Sequence, residues 1–292
     1  MKFLGHLKLD EVECAWLSSA CQSKKRHAGA LKRISVSLKS NLYKDYSCIV
    51  GSRADAPAPT KLFGIGEMLR GFYAAPPRGL AELLKFRRSG HDLKECPYCG
   101  NPFSPDTIDH FMPKDLWPEY AIFPNNLVPQ CRGCAPIKGA RFVCPTAGGH
   151  IFLHPFYSEC ISKLGFEVLV THSHGKSTFE VNFVLPGDST ADDVLAIRGH
   201  LRGLKVKSRL LAYCNGQLRH WKNLVKESRF DVRASFRARI DEYSPLDRNS
   251  NWKVAFFKGM LACEQAMNAL QAECPTLASH VSSSAIQIRV DV

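Results

Sequence analysis

The chain has 292 residues, 45% of them hydrophobic, and carries a formal net charge of +12. This length and apolar content predict a globular protein of one large domain or two smaller ones, with a sizeable core. No apolar run approaches the ~18 residues of a membrane-spanning helix, and residues 1–8 lack a signal-peptide core, so we expect a cytoplasmic protein without a membrane partner.

The charge indicates which partners suit the protein, and the cysteine content indicates the redox state of its thiols. A pI near 9.2 favours polyanionic partners, because Lys and Arg side chains release counterions from phosphate, although a soluble basic protein would show the same balance. There are twelve cysteines, and eight of them follow no spacing framework, which indicates reduced thiols. These eight are Cys14, Cys21, Cys48, Cys144, Cys160, Cys214, Cys263 and Cys274.

Residues 1–90 are predicted to form an N-terminal helical region. Apolar residues cluster on one side of segment 8–45, whose polar residues are mostly basic. A loop rich in Gly and Pro follows at 50–60. Two short helices are then expected at 62–73 and 80–86, separated by Ala75-Pro76-Pro77.

Residues 91–145 are predicted to form the functional core. The pairs Cys96/Cys99 and Cys131/Cys134 each have the Cys-x-x-Cys spacing that lets two sulfurs reach one ion from a tight turn. Two such pairs are typical of a structural Zn²⁺ site with four thiolates. Unrelated thiols or a redox motif are the weaker alternatives, since neither requires two pairs beside turn residues.

An Asp109-His110 pair lies between the cysteine pairs. A carboxylate can hold a hard divalent cation, and an imidazole can deprotonate water near neutral pH. On its own this dipeptide is more often an ordinary surface pair. It is followed by Pro113 and then by Asn126-Leu127-Val128-Pro129, which leads into the second cysteine pair and Lys138-Gly139.

Segment 96–142 resembles the HNH endonuclease family in its four-cysteine form, because these features occur in the family's order. The resemblance implies a ββα-metal core that holds Mg²⁺ or Mn²⁺. It implies that His110 is the general base, that Asp109 is a metal ligand, and that Asn126 orients His110 and braces the loop between the strands. Candidate phosphate contacts are Lys138, Arg141, Arg87 and Arg88.

Ala135 departs from the family pattern. The residue after the second cysteine pair is usually Asn or His and completes the catalytic metal site, whereas a methyl group cannot bind a metal. We therefore expect weak metal binding and little or no cleavage. An engineered substitution and a natural loss both explain Ala135; retention of Asp109, His110, Asn126 and the cysteines favours the former.

Residues 146–292 are predicted to form a C-terminal region with a hairpin and helices. Segments 166–170 and 179–183 alternate in part and flank a turn. Helices are expected at 191–202, with Thr190 as the N-cap, at 206–229 with a dense basic face, and at 255–272. His150 and His154 are expected to be packed or exposed without a metal, and segment 286–290 to be an edge strand or a docking segment.

The sequence thus predicts an α+β fold in which an HNH core with a zinc site is flanked by mainly helical regions and a small hairpin. The expected function is metal-dependent endonuclease cleavage of DNA, with RNA left open as a substrate. Similarity to HNH effectors of bacterial antiphage systems, such as the Septu type, suggests a defence role and an ATPase partner. The alternatives are a zinc-stabilised nucleic-acid-binding subunit that has lost catalysis, and a subunit whose basic helices dock on an acidic protein.

Overall fold

The N-terminal part is helical in the computed structural model, which describes residues 1–11, 15–52, 57–59, 65–144, 149–245 and 248–275. Its helices are α1 (Ala15–Cys21), α2 (Ala28–Asn41), α3 (Tyr46–Ser52), α4 (Ile65–Ala74) and α5 (Arg78–Ser89). The predicted helices at 62–73 and 80–86 correspond to α4 and α5, and Pro77 precedes the first turn of α5 with the extended backbone that suits a helix start. Residues 53–56 and 60–64 of the predicted loop and helix start lie outside the described ranges.

The central part contains a short antiparallel hairpin between the cysteine pairs. Strands β1 (Thr107–His110) and β2 (Leu127–Gln130) pair so that Asp109 faces Val128 and His110 faces Leu127. The four-residue helix α6 (Ala135–Lys138) begins directly after Cys134. Because Thr107 pairs with Gln130, the first cysteine pair precedes and the second directly follows the same open end of the hairpin.

Among the residues that the structure describes, the C-terminal part combines a second hairpin with five α-helices. Strands β3 (Gly165–Ser173) and β4 (Lys176–Val184) pair antiparallel around a His174-Gly175 turn in which both residues have positive φ, confirming the predicted hairpin. The helices are α7 (Ala191–Gly203), α8 (Val206–Glu227), α9 (Val232–Asp241), α10 (Trp252–Ala262) and α11 (Glu264–Ala272).

Local sequence chemistry explains most of these boundaries. Thr190 caps α7 as predicted, its hydroxyl oxygen accepting a hydrogen bond from the Asp193 amide at 3.1 Å. The single helix expected at 255–272 is wrong: α10 ends at Ala262, and Cys263 adopts extended backbone before α11 begins. Met267 and Leu270 of α11 are buried. The predicted edge strand at 286–290 lies outside the described residues.

One continuous set of buried side chains links all three predicted regions. Trp16 and Leu31 of the N-terminal helices, Phe123 of the central part and Phe236 of α9 belong to it. The fold is therefore mixed helix and sheet, as expected, while the boundaries at 90/91 and 145/146 stay predictions. No helix within the described ranges combines the length and apolar character needed to cross a bilayer.

Candidate metal centre and nuclease-type site

The four cysteines converge on one buried point. The sulfurs of Cys96, Cys99, Cys131 and Cys134 all lie within 4.8 Å of one another. A turn closes each pair: the Gly100 amide bonds to the Cys96 carbonyl at 2.8 Å, and the Cys134 amide bonds to the Cys131 carbonyl at 2.9 Å. Gly100 adopts φ +73°, a conformation that glycine reaches without strain.

This donor set fits a structural zinc ion. Four thiolates within reach of one point match the closed tetrahedral coordination of structural zinc, which leaves no open position for catalysis. Zinc would connect the segment before β1 to the segment that follows β2.

Arg209 of α8 approaches the same sulfurs from outside. Its guanidinium donates to Cys134 Sγ at 3.2 Å, Cys99 Sγ at 3.5 Å and Cys131 Sγ at 3.7 Å. Burial disfavours the charge, but the Cys99 and Cys134 sulfurs outweigh burial and raise the pKa of Arg209. A side chain at Gly133 would clash with this guanidinium, since an added Cβ would lie 2.6 Å from Arg209 Nη2. The sequence offered no signal for this contact, because Arg209 lies far along the chain on a basic helix.

Asp109 of strand β1 is buried and bonded to two polar side chains. Its Oδ2 accepts a hydrogen bond from the Tyr98 hydroxyl at 2.7 Å and lies 3.1 Å from Lys138 Nζ. Lys138 is fully buried and also donates to the carbonyls of His110 and Phe111, both at 3.2 Å. The predicted phosphate contact at Lys138 is therefore wrong in this structure, because its ammonium is enclosed and occupied by Asp109 and backbone oxygens.

His110 is held as a neutral imidazole. Its Nε2 lies 3.0 Å from the Ala121 carbonyl, which can only accept, so Nε2 carries the proton and Nδ1 keeps a lone pair. Burial lowers the pKa of His110 to about 4, against the opposing effect of the Ala121 hydrogen bond. The Tyr73 ring packs edge-on against the imidazole at 4.4 Å. These contacts give His110 one protonation state and one orientation at neutral pH.

Asn126 fastens the loop that connects β1 to β2. Its Oδ1 accepts from the Met112 amide at 2.7 Å and from the Tyr46 hydroxyl at 2.8 Å. Its Nδ2 donates to the carbonyls of Met112 at 3.0 Å and Tyr120 at 3.1 Å. This geometry matches the expected brace. The link from Asn126 to His110 passes through the Tyr120–Ala121 backbone, since the contacts of Asn126 are with other groups.

Of the other predicted phosphate contacts, Arg87 is buried, whereas Arg88 and Arg141 are exposed. Arg87 is buried, donates to the Leu7 carbonyl at 3.0 Å, and packs over the rings of Trp16 and Phe156. The predicted phosphate contact at Arg87 is therefore wrong in this structure. Burial lowers the pKa of Arg87 to about 10.

Arg88 and Arg141 remain exposed. Burial raises the pKa of Tyr73, and the nearby Arg88 opposes that rise. Since the Tyr73 ring contacts the His110 imidazole, Arg88 lies on the same side of the hairpin as His110. Arg141 donates to the carbonyls of Ile137 and Gly203 and thereby links α6 to α7.

A divalent-ion site for catalysis does not fit the residues present. Asp109 already has one oxygen bonded to Tyr98 and Lys138. Ala135 opens α6 and offers no ligand atom. Within the described part of the chain, the four cysteines are the group of three or more Cys, His, Asp or Glu side chains whose donor atoms converge.

His150 and His154 pack against aromatic rings, which is one of the two placements that the sequence left open. His154 is fully buried, with Nε2 3.2 Å from the Tyr46 hydroxyl and Nδ1 accepting from the Phe156 amide at 3.1 Å. The His150 ring lies against Phe142, with 4.5 Å between centroids. Tyr46 thus connects His154 to Asn126, a link that the sequence did not signal.

Part of the chain is similar to a known phage protein. The chain is similar to Protein ea31 of Escherichia phage lambda, with 38% identity over 69 residues, which are 23% of this chain and 23% of that protein. The match therefore spans less than a quarter of that relative, and its name carries no activity. No family model and no solved structure matches the chain.

Proposed function

We propose that the protein is an HNH-type endonuclease subunit that acts on DNA and whose divalent-metal site is incomplete at Ala135. The observation that carries this proposal is the state of His110. A neutral imidazole with Nε2–H fixed on the Ala121 carbonyl leaves Nδ1 as a proton acceptor, and the strand that carries it pairs with the strand leading into the second pair of a zinc-type cysteine cluster.

The reaction that suits this histidine is phosphodiester hydrolysis. A water oxygen forms a bond to phosphorus while His110 Nδ1 takes the proton from that water. The bond from phosphorus to the leaving oxygen breaks, and the leaving oxygen takes a proton from solvent. The exposure of Arg88 near Tyr73 supports a role for this cation in attracting a phosphate to this side of the hairpin.

In this proposal Asp109 is the residue that would contact Mg²⁺ or Mn²⁺. The residues present do not complete a site for either ion. When bound in a nuclease, such an ion neutralises charge that develops on the phosphate. The proposal therefore predicts slow cleavage by the chain that carries Ala135. The defence role and the ATPase partner are carried by the family resemblance alone.

A second candidate function has a specific observation in its favour. The buried Lys138 ammonium already neutralises Asp109 at 3.1 Å, which makes Asp109 a poor ligand for a further cation. The chain would then be a zinc-stabilised nucleic-acid-binding subunit without catalysis, with its net charge of +12 supporting phosphate contact.

Binding and cutting of the same plasmid distinguish these candidates. The nuclease proposal predicts nicking in Mn²⁺ that disappears in His110→Ala while DNA affinity is retained. Salt-sensitive DNA binding with equal, background-level nicking by both proteins would favour the binding subunit. Absence of DNA binding at low salt would contradict both. His220→Ala, at an exposed histidine of α8, is the matched control, because it also removes an imidazole but lies outside the proposed site.

A further inference from the structure

A groove of about 680 Å³ lies between the end of β4, α7 and the first turns of α8. Its volume is within the range of functional binding pockets. Aliphatic side chains dominate its surface, and Phe183 is the one aromatic residue among the described residues that line it. The apolar members are mainly Leu164, Phe183, Leu185, Ile197, Leu201 and Leu211.

Four exposed cations line the same groove. Arg198 and Arg202 are one turn apart on α7, while Lys205 and Lys207 lie at the junction with α8. Within the described part of the chain none of the four forms an ion pair, and no carboxylate lines the groove. Their charge is therefore available to an anionic ligand.

The backbone at the edge of the groove adopts an unusual conformation. Lys205 has φ 52° and ψ 39°, a left-handed conformation that is unfavourable for a non-glycine residue. This conformation forms the corner between α7 and α8 and places Lys205 beside Arg202. Strained residues are concentrated at binding sites more than elsewhere.

The apolar surface continues beyond the groove. Leu195 is 62% exposed on α7 and lies three residues before Arg198 and seven before Arg202, so the three side chains share one helix face. An occupant long enough to cover Leu195 would extend past the cavity along α7.

We propose that this groove binds an acidic amphipathic helix of a partner protein. The apolar floor matches the apolar stripe of such a helix, and the four cations match carboxylates on its flanks. A single-stranded nucleic acid would need aromatic stacking surfaces, which Phe183 alone does not provide. A small anion would leave the apolar continuation at Leu195 uncovered. This inference does not depend on the proposed cleavage.

The test measures binding of a labelled synthetic helix to the full-length, zinc-loaded protein. The probe is a peptide of about 18 residues, or five helical turns, with a Leu stripe flanked by Glu. A second peptide has the same composition in scrambled order. Fluorescence anisotropy should show saturable binding of the patterned peptide and at least about tenfold weaker binding of the scrambled one.

Charge reversal locates the binding site. Arg198→Glu/Arg202→Glu should weaken binding of the patterned peptide by at least about tenfold, and Leu195→Ser should weaken it less. The matched control is Arg219→Glu/Arg237→Glu, which changes the net charge equally at exposed cations outside the groove and should leave affinity unchanged. Far-ultraviolet circular dichroism and zinc content verify that each variant is folded.

Three results would overturn the proposal: equal binding of both peptides, equal loss of affinity in both double variants, or loss of duplex DNA binding in the groove variant with peptide binding intact. The last result would identify the groove as a nucleic-acid surface.

Discussion

Lys138 and Asp109 form a buried ion pair, with 3.1 Å between Nζ and Oδ2, and Asp109 precedes His110 in strand β1. The pair connects α6 to β1, and Tyr98 provides a second hydrogen bond to the same carboxylate oxygen. Two residues that family resemblance placed at a metal and at a phosphate thus contact each other in the interior.

Lys138→Met should strongly destabilise the protein. The substitution leaves Asp109 buried without its counter-charge, a change that typically costs about 3–5 kcal/mol. Urea unfolding of the zinc-loaded protein measures the loss, and Arg88→Met, at an exposed cation of α5, provides the surface control. A loss below about 1 kcal/mol for Lys138→Met would mean that the ion pair does not exist in solution.

Arg209→Met should weaken zinc binding by roughly 10–100-fold, because groups that donate to metal-bound ligands typically have effects of that size. A competing chromophoric chelator measures the affinity through zinc release. Arg209→Lys should give an intermediate value, since a single ammonium cannot donate in a fork to the sulfurs of Cys99 and Cys134 together. Arg219→Met on the same helix is the control, and equal zinc affinity in Arg209→Met and the control would contradict the assigned contact.

Asn126→Asp should destabilise the hairpin loop by about 2 kcal/mol or more, because an added carboxylate oxygen would face the carbonyls of Met112 and Tyr120 where Nδ2 now donates. Thermal or urea unfolding provides the measurement. Asn215→Asp, at an exposed position of α8, should have little effect. Similar losses in the two variants would argue against the four-bond brace.

The buried His154 should make stability fall in mild acid. Burial holds the pKa of His154 well below 6.5 in the folded protein, so the unfolded chain binds the proton first as the pH falls below about 6.5. Its contribution to stability is present above that pH and decreases by up to about 1.4 kcal/mol per pH unit until the folded-state pKa is reached.

Unfolding free energies measured from pH 7 to pH 5 test this linkage. His154→Gln should have a shallower pH dependence than the parent protein, and the exposed His220→Gln should match the parent. Zinc loss in acid affects all three proteins and so cancels in the comparison. Parallel curves for the parent protein and His154→Gln would contradict a neutral buried His154.

Residue spacing and local side-chain chemistry were enough to predict several features that the structure contains. The four cysteines were identified because a two-residue gap fixes how two sulfurs meet, and the β3–β4 hairpin and the Thr190 cap follow equally local rules. Arg87 and Arg88 show where such rules end. Adjacent helix residues point about 100° apart, so one arginine is buried on Trp16 while the next is exposed, and sequence alone could not assign the faces.

Contacts between segments that are far apart along the chain could not be predicted from the sequence. Lys138 follows the second cysteine pair in an exposed-looking basic context, yet the four-residue helix α6 turns it onto Asp109. Arg209 reaches the cysteine cluster from α8, and the absence of a side chain at Gly133 leaves room for its guanidinium. Neither contact has a local signal, since both depend on how separate elements pack.

Plasmid nicking by Ala135→Asn, compared with Ala135→Asn/His110→Ala in the presence of Mn²⁺, tests the central claim most directly. An amide oxygen at the start of α6 would add the ligand that Ala135 lacks, so the account predicts that the single variant nicks DNA at least about tenfold faster than the parent protein. It also predicts that His110→Ala abolishes this gain. Equal, background-level nicking by the parent protein and both variants, with zinc bound and DNA binding intact, would contradict the assignment of a nuclease site to this hairpin.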